Sequence, residues 1–174
     1  VRYGSNMNDD NPSKSLPFTR GFSVMRQVAI LVLFLVVTTA VAAVAAQFSP
    51  GVWYAALTKP SWTPPNGVFA PVWTVLYAAI AVAGWLVWQA RDAEAALALW
   101  VVGLILNGLW SWLFFGLHAI GWALLDIGLL WVSIIGFIVV AWPRSRAAAL
   151  LFLPYLAWVS YAALLNGAIW RLNG

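Results

Sequence analysis

The chain contains no cysteine, so disulfides, thiolate nucleophiles and cysteine-based metal sites are excluded. Its only histidine is His118, which leaves too few donors for a histidine-rich centre, and no metal is expected. Charge is scarce: 8% of the 174 residues are Asp, Glu, Lys or Arg, against 64% hydrophobic. A soluble domain must cover itself with polar side chains, whereas a bundle immersed in lipid need not. Also missing are a glycine-rich phosphate loop, paired carboxylates on one helix face and a Ser/His/Asp set. Conventional hydrolase or transferase chemistry has no residues to run on. The formal charge of +4 does not point to nucleic acid, because the basic residues flank apolar segments instead of forming a patch.

What the chain has in abundance is long apolar sequence. Residues 1–24 are polar and read as a mobile tail. Five apolar stretches follow, at about 25–47, 70–89, 95–115, 119–141 and 147–170. Each has the ~20 residues that a helix needs to cross a ~30 Å hydrocarbon core. They lack the alternation of barrel strands, so the expected fold is all-α, an integral membrane bundle of five transmembrane helices over residues 25–174. Pro71 starts the second helix and Pro143 follows the fourth. Pro154 lies inside the fifth and should kink it, opening space beside Tyr155 and Trp158. Three of the connections are short, so consecutive helices are antiparallel neighbours. The first, residues 48–69, is long, and a long loop in a compact domain is usually functional.

Five spans place the tail and the second and fourth loops on one side, with Arg2, Lys14, Arg20, Arg26, Arg91, Arg144 and Arg146. Lys59 and Arg171 lie on the other. The positive-inside rule then puts the N-terminus in the cytoplasm. The first stretch ends in AVAAVAAQ after basic residues, as a cleaved signal peptide does. It exceeds the usual apolar core of about 7–15 residues, which favours a retained span.

The first loop carries Trp53, Tyr54, Trp62 and Phe69, with Pro60, Pro64 and Pro65 stiffening it. Two readings stand: an interfacial aromatic belt, or a cover over a flat apolar ligand. Within the spans, polar residues are costly and face inward. Asn107, Trp110, Ser111 and Phe114 follow helical spacing and form one stripe. Trp122 and Asp126 share a face of the fourth helix, and Tyr155, Trp158, Ala162 and Leu165 one of the fifth. These stripes and Trp73 would line a mostly apolar pocket. Asn107 and Ser111 would serve equally as interhelical hydrogen-bond glue. Asp126 reads as a structural acceptor before a catalyst, since no second carboxylate or histidine shares its face.

The order of these residues resembles the TspO/MBR family, which holds bacterial tryptophan-rich sensory proteins and the mitochondrial translocator protein, or peripheral-type benzodiazepine receptor. Residues 53–65 (WYAALTKPSWTPP) and 69–77 (FAPVWTVLY) resemble its first loop and second helix. Residues 106–116 (LNGLWSWLFFG), 121–126 (GWALLD) and 154–166 (PYLAWVSYAALLN) resemble its third, fourth and fifth helices. The resemblance implies a homodimeric five-helix protein of a bacterial cell membrane, the outer membrane remaining open. It implies binding of porphyrins, including protoporphyrin IX and haem, and of isoquinoline carboxamides and benzodiazepines, in a pocket under the first loop, with no cofactor required. By motif position Tyr54, Asn107, Trp110 and Ala162 match pocket residues. Trp73 and Trp158 match the two tryptophans linked to light-dependent porphyrin breakdown in bacterial relatives; they would bind ligand and, where breakdown occurs, be catalytic. Residues 164–171 (LLNGAIWR) lack the tyrosine of the family's cholesterol motif, so specific sterol binding is not expected. Four functions remain open: tetrapyrrole handling or stress sensing, porphyrin photodegradation, transport, and a structural role with incidental binding. In the first, Lys59 would meet the propionates of a bound porphyrin.

Overall fold

The computed structural model of the protein describes residues 17–48 and 50–174, with side chains from Val24 onward. The expected polar tail lies outside the described residues up to residue 16; from Pro17 the chain is already helical. Among the described residues every regular element is a helix. Helix α1 spans Pro17–Ala46, and its first residue is a proline, whose fixed φ and missing N–H suit a helix start. Within the first connection sits a short helix, α2 (Val52–Ala56). The long helices α3 (Phe69–Trp88), α4 (Glu94–Ser111) and α5 (Ile120–Ala141) follow. The last span is two helices, α6 (Arg146–Leu151) and α7 (Leu153–Asn173). Among the described residues five segments are long and apolar enough to cross a membrane, so the five-span bundle stands.

The break between α6 and α7 falls at Phe152, two residues before Pro154. Pro154 has no N–H to give to the carbonyl of Leu150, and its ring crowds that carbonyl, so the chain restarts as a new helix with the proline in its first turn. The predicted kink is therefore present. It opens no space beside Tyr155, however, which is 2% exposed and packs its ring edge-on against Phe152 and Trp73.

Packing explains where a cavity can form. Helix α1 lies against α3 and α4, and α5 is clasped between α4 and α7. It is α6, not α7, that makes the extended contact with α3. At the joint between α6 and α7, Phe152 stacks on Phe137 of α5 at 3.8 Å. Trp100 of α4 and Phe34 of α1 reach the backbone of α3 because Gly84 has no side chain. A Cβ there would stand 2.6 Å from Nε1 of Trp100 and 2.7 Å from Cε1 of Phe34. That indole instead donates to the carbonyl of Ile80 at 2.8 Å. In lipid such close packing and internal hydrogen bonding hold helices together, since no water is released between them. Toward the α1–α3 connection the bundle loosens. There α3 and α7 are bridged by single rings, such as Phe69 against Trp158 at 5.9 Å.

Candidate functional site

A cavity of about 610 Å³ occupies this loosened end. Helix α3 supplies Trp73, Thr74 and Tyr77; α4 supplies Trp110 and Ser111; α7 supplies Trp158 and Ala162. Helix α1 supplies a wall of Leu35, Thr38, Thr39 and Ala42. A second void, with room for about one water molecule, measures about 30 Å³ and shares Phe69, Trp110, Phe115, Trp158 and Ala162 with the first. Beyond α4 the backbone widens into a π-helical turn, Trp112–Gly116, in which the N–H of Leu117 bonds the carbonyl of Trp112 at 2.8 Å. Such turns insert an extra residue and are frequent at functional sites. Phe114 and Phe115 both turn inward from it, onto Trp110, with ring centroids 5.3 and 5.7 Å away.

Of the residues expected in the pocket, Trp73, Trp110, Trp158 and Ala162 line the cavity itself. Tyr54 lines the smaller void. Burial pushes its phenol above the ordinary value, with Tyr161 adding to the effect, so it stays neutral. Asn107 lines neither. It lies behind the wall, where Tyr77 donates to its Oδ1 at 2.5 Å and its Nδ2 donates to the hydroxyl of Tyr155 at 3.1 Å. One amide thus ties α3, α4 and α7 together and fixes Tyr77, a cavity residue. The interhelical-glue reading describes what Asn107 does in this geometry.

The expected contribution of α5 is corrected: no residue of α5 lines either space. Trp122 is 69% exposed and Asp126 is 4% exposed. Four residues advance a helix by 400°, so the pair is offset by about 40°. With α5 clasped by α4 and α7, that offset separates an outward from an inward direction. The acceptor role expected of Asp126 finds no donor among the described residues. Both its carboxylate oxygens are buried without a partner among the described residues.

Lys59 is also reassigned. Its ammonium donates to the carbonyls of Tyr54 at 2.6 Å, Leu57 at 2.8 Å and Ala55 at 3.1 Å. It caps the C-terminal end of α2, where a cation meets the helix dipole and the orphan carbonyls, and is no free partner for a carboxylate. The loop tryptophans Trp53 and Trp62 stand outside the large cavity. Trp53 stacks on His118 at 4.0 Å, and Trp62 meets Tyr161 edge-on while its carbonyl accepts from the Tyr161 hydroxyl at 2.7 Å.

Among the described residues four indole N–H groups have acceptors: those of Trp85, Trp100, Trp110 and Trp131 are spent on Gln27, Ile80, Asn166 and Ser160. Of the tryptophans that have none, Trp73 and Trp158 line the cavity. Sequence reasoning missed Tyr77, Asn166 and the α1 wall. Tyr77 is one turn from Trp73 and Asn166 one turn from Ala162, so helical spacing signals both. The amide of Asn166 accepts from Trp110 and donates to the carbonyl of Ile120 at 3.0 Å. Thr38 and Thr39 gave no such signal, since hydroxyls in a span often bond only their own helix, as Thr38 does to Phe34 and Leu35.

The chain matches the TspO/MBR family over residues 28–171. It is 39% identical over 149 residues to "Protein CrtK" of Rhodobacter capsulatus, covering 83% of this chain and 92% of that protein. To the "Translocator protein" of Homo sapiens it is 42% identical over 127 residues, 70% of this chain and 75% of that one. To the "Tryptophan-rich protein TspO" of Archaeoglobus fulgidus it is 43% identical over 124 residues, 70% and 80%. The matched residues take in most of the first and last spans, the three spans between them, the first loop and every wall of the cavity, and so the chain belongs to the TspO/MBR family.

Proposed function

We propose that this membrane protein binds a porphyrin, such as protoporphyrin IX or haem, in the cavity bounded by Trp73, Trp110 and Trp158. One observation carries the reading: two indoles with unspent N–H groups, Trp73 and Trp158, converge on an apolar space of about 610 Å³. That lies within the roughly 300–1,000 Å³ of small-molecule pockets. A flat π-system is held by stacked or edge-on indoles, and an indole N–H donates to whatever acceptor the ligand carries. Among the described residues no charged side chain lines the cavity. The propionates would then lie toward the first loop, at the end of the cavity lined by Phe48 and Pro50. Titration with protoporphyrin IX, followed by tryptophan quenching and absorbance in the dark, tests the reading. A folded protein that gives no saturable quenching refutes it.

A second reading, light-driven breakdown of the bound porphyrin with dioxygen as oxidant, draws support from the same convergence of Trp73 and Trp158. Bleaching under illumination separates it from binding alone. Our reading includes a bacterial cell membrane, a homodimer and a cytoplasmic N-terminus, the last from the split of basic residues. Labelling of Thr63→Cys but not Ser145→Cys from outside the cell is the outcome expected for that orientation.

A further inference from the structure

The cavity is not closed on the side of the bilayer. Thr39 and Ala46 of α1 and Ala70, Thr74 and Ala78 of α3 line it and are themselves exposed. All five lie in the spans Val24–Ala46 and Asn66–Trp88; Ala46 and Ala70 are near the span ends, whereas Thr39, Thr74 and Ala78 are deep enough to face hydrocarbon. At the opposite end α1 and α3 are in contact: Trp85 donates to the carbonyl of Gln27 at 3.2 Å, and Phe34 sits over Gly84. The two helices therefore close at one membrane face and part at the other.

The aqueous end is the more firmly held. Asn173 binds the backbone of Thr58 reciprocally, accepting from its N–H at 2.9 Å and donating to its carbonyl at 2.9 Å. The Tyr161 hydroxyl holds Trp62 and His118 holds Trp53. Lifting the loop breaks all of these at once, whereas moving α1 breaks little. Only 11% of α1's apolar window is buried, against 28% to 39% in the other spans.

We propose that the cavity fills sideways, from the leaflet next to the first loop, through the gap between α1 and α3. Its ligand is then a flat, lipid-soluble molecule that partitions into the bilayer before it meets the protein. The absence of charged side chains from the lining among the described residues suits such a route for an apolar macrocycle, any carboxylates of which stay at headgroup level, since a charged group would find no partner inside. Only the identity of the ligand rests on the porphyrin reading above.

Two experiments test the portal, both on the full chain in lipid vesicles. The chain has no cysteine, so a single nitroxide can be placed at Thr74→Cys. It should be relaxed strongly by dioxygen, which dissolves in lipid, and weakly by a water-soluble nickel chelate. Relaxation by nickel equal to that at an exposed loop site, Ser61→Cys, overturns the portal. In stopped-flow binding of protoporphyrin IX, Thr39→Trp and Ala78→Trp place a large ring in the gap without touching the packed core. They should slow association by about tenfold. Asn173→Ala frees the loop and should leave the association rate within about twofold. Faster association in Asn173→Ala, with no slowing in the tryptophan variants, overturns the proposal in favour of entry from water. A wild-type protein that binds no porphyrin sinks the functional reading, and the nitroxide result then decides the portal by itself.

Discussion

Replacing Tyr77 by phenylalanine removes one oxygen from the cavity wall and leaves the ring. The lost hydroxyl donates at 2.5 Å to Oδ1 of Asn107, and Asn107 is 3% exposed, so no water reaches the orphaned acceptor. An unsatisfied buried acceptor costs about 1–3 kcal/mol. Measured interhelical hydrogen bonds in lipid-embedded bundles are weaker, averaging about 0.6 and reaching about 1.7 kcal/mol. The second scale suits this site better, because helices separated within the membrane find other partners. Tyr77→Phe should therefore cost about 0.6–1.7 kcal/mol. Asn107→Leu loses the bond to Tyr155 as well and strands that hydroxyl, which is 2% exposed; its cost should reach about 2–3 kcal/mol. Reversible unfolding in mixed micelles, run as a double-mutant cycle, isolates the shared bond. A coupling energy of about 0.6–1.7 kcal/mol is expected. A coupling indistinguishable from zero would refute the view that Asn107 braces the pocket wall through Tyr77.

Gly84→Ala should destabilise the bundle by about 1–3 kcal/mol, the scale of overpacking, because Trp100 must leave its 2.8 Å bond to Ile80 to make room; unchanged unfolding would show that α3 and α4 yield freely. Lys59→Met should speed proteolysis of the first loop, because α2 loses its cap, yet lower the affinities of protoporphyrin and of its uncharged dimethyl ester alike. A loss confined to the diacid would restore Lys59 as a counter-ion. Trp158→Phe should retain porphyrin binding while slowing any light-driven bleaching, since phenylalanine keeps the apolar face and loses the indole N–H; bleaching unchanged at saturating porphyrin would remove Trp158 from the chemistry.

The five spans were legible because lipid leaves a chain few choices: each crossing must be an apolar helix of about twenty residues. The break before Pro154 was legible from the chemistry of one residue. Spacing alone grouped Trp110 with Ser111 and Trp158 with Ala162, which do share the cavity. It failed for Trp122 and Asp126, because a helix clasped on two sides turns a small angular offset into opposite environments. It could not show that Lys59 is consumed by its own loop, since α2 is too short to announce itself in the pattern. Nor could it assign the α1 wall, whose threonines look like lipid-facing residues until α3 is placed beside them.

The division of the last span at Phe152 has a mechanical consequence. Bending an intact helix strains a ladder of hydrogen bonds, but at this joint Pro154 has already removed one. The short segment below the joint is anchored by the Phe137–Phe152 stack; the long segment above carries Trp158 and Ala162. Because Pro154 interrupts the ladder, the direction of α7, and with it the placing of Trp158 and Ala162 on the cavity, is not inherited from α6; it is set by the bonds that α7 makes to α4, from Asn107 to Tyr155 and from Trp110 to Asn166.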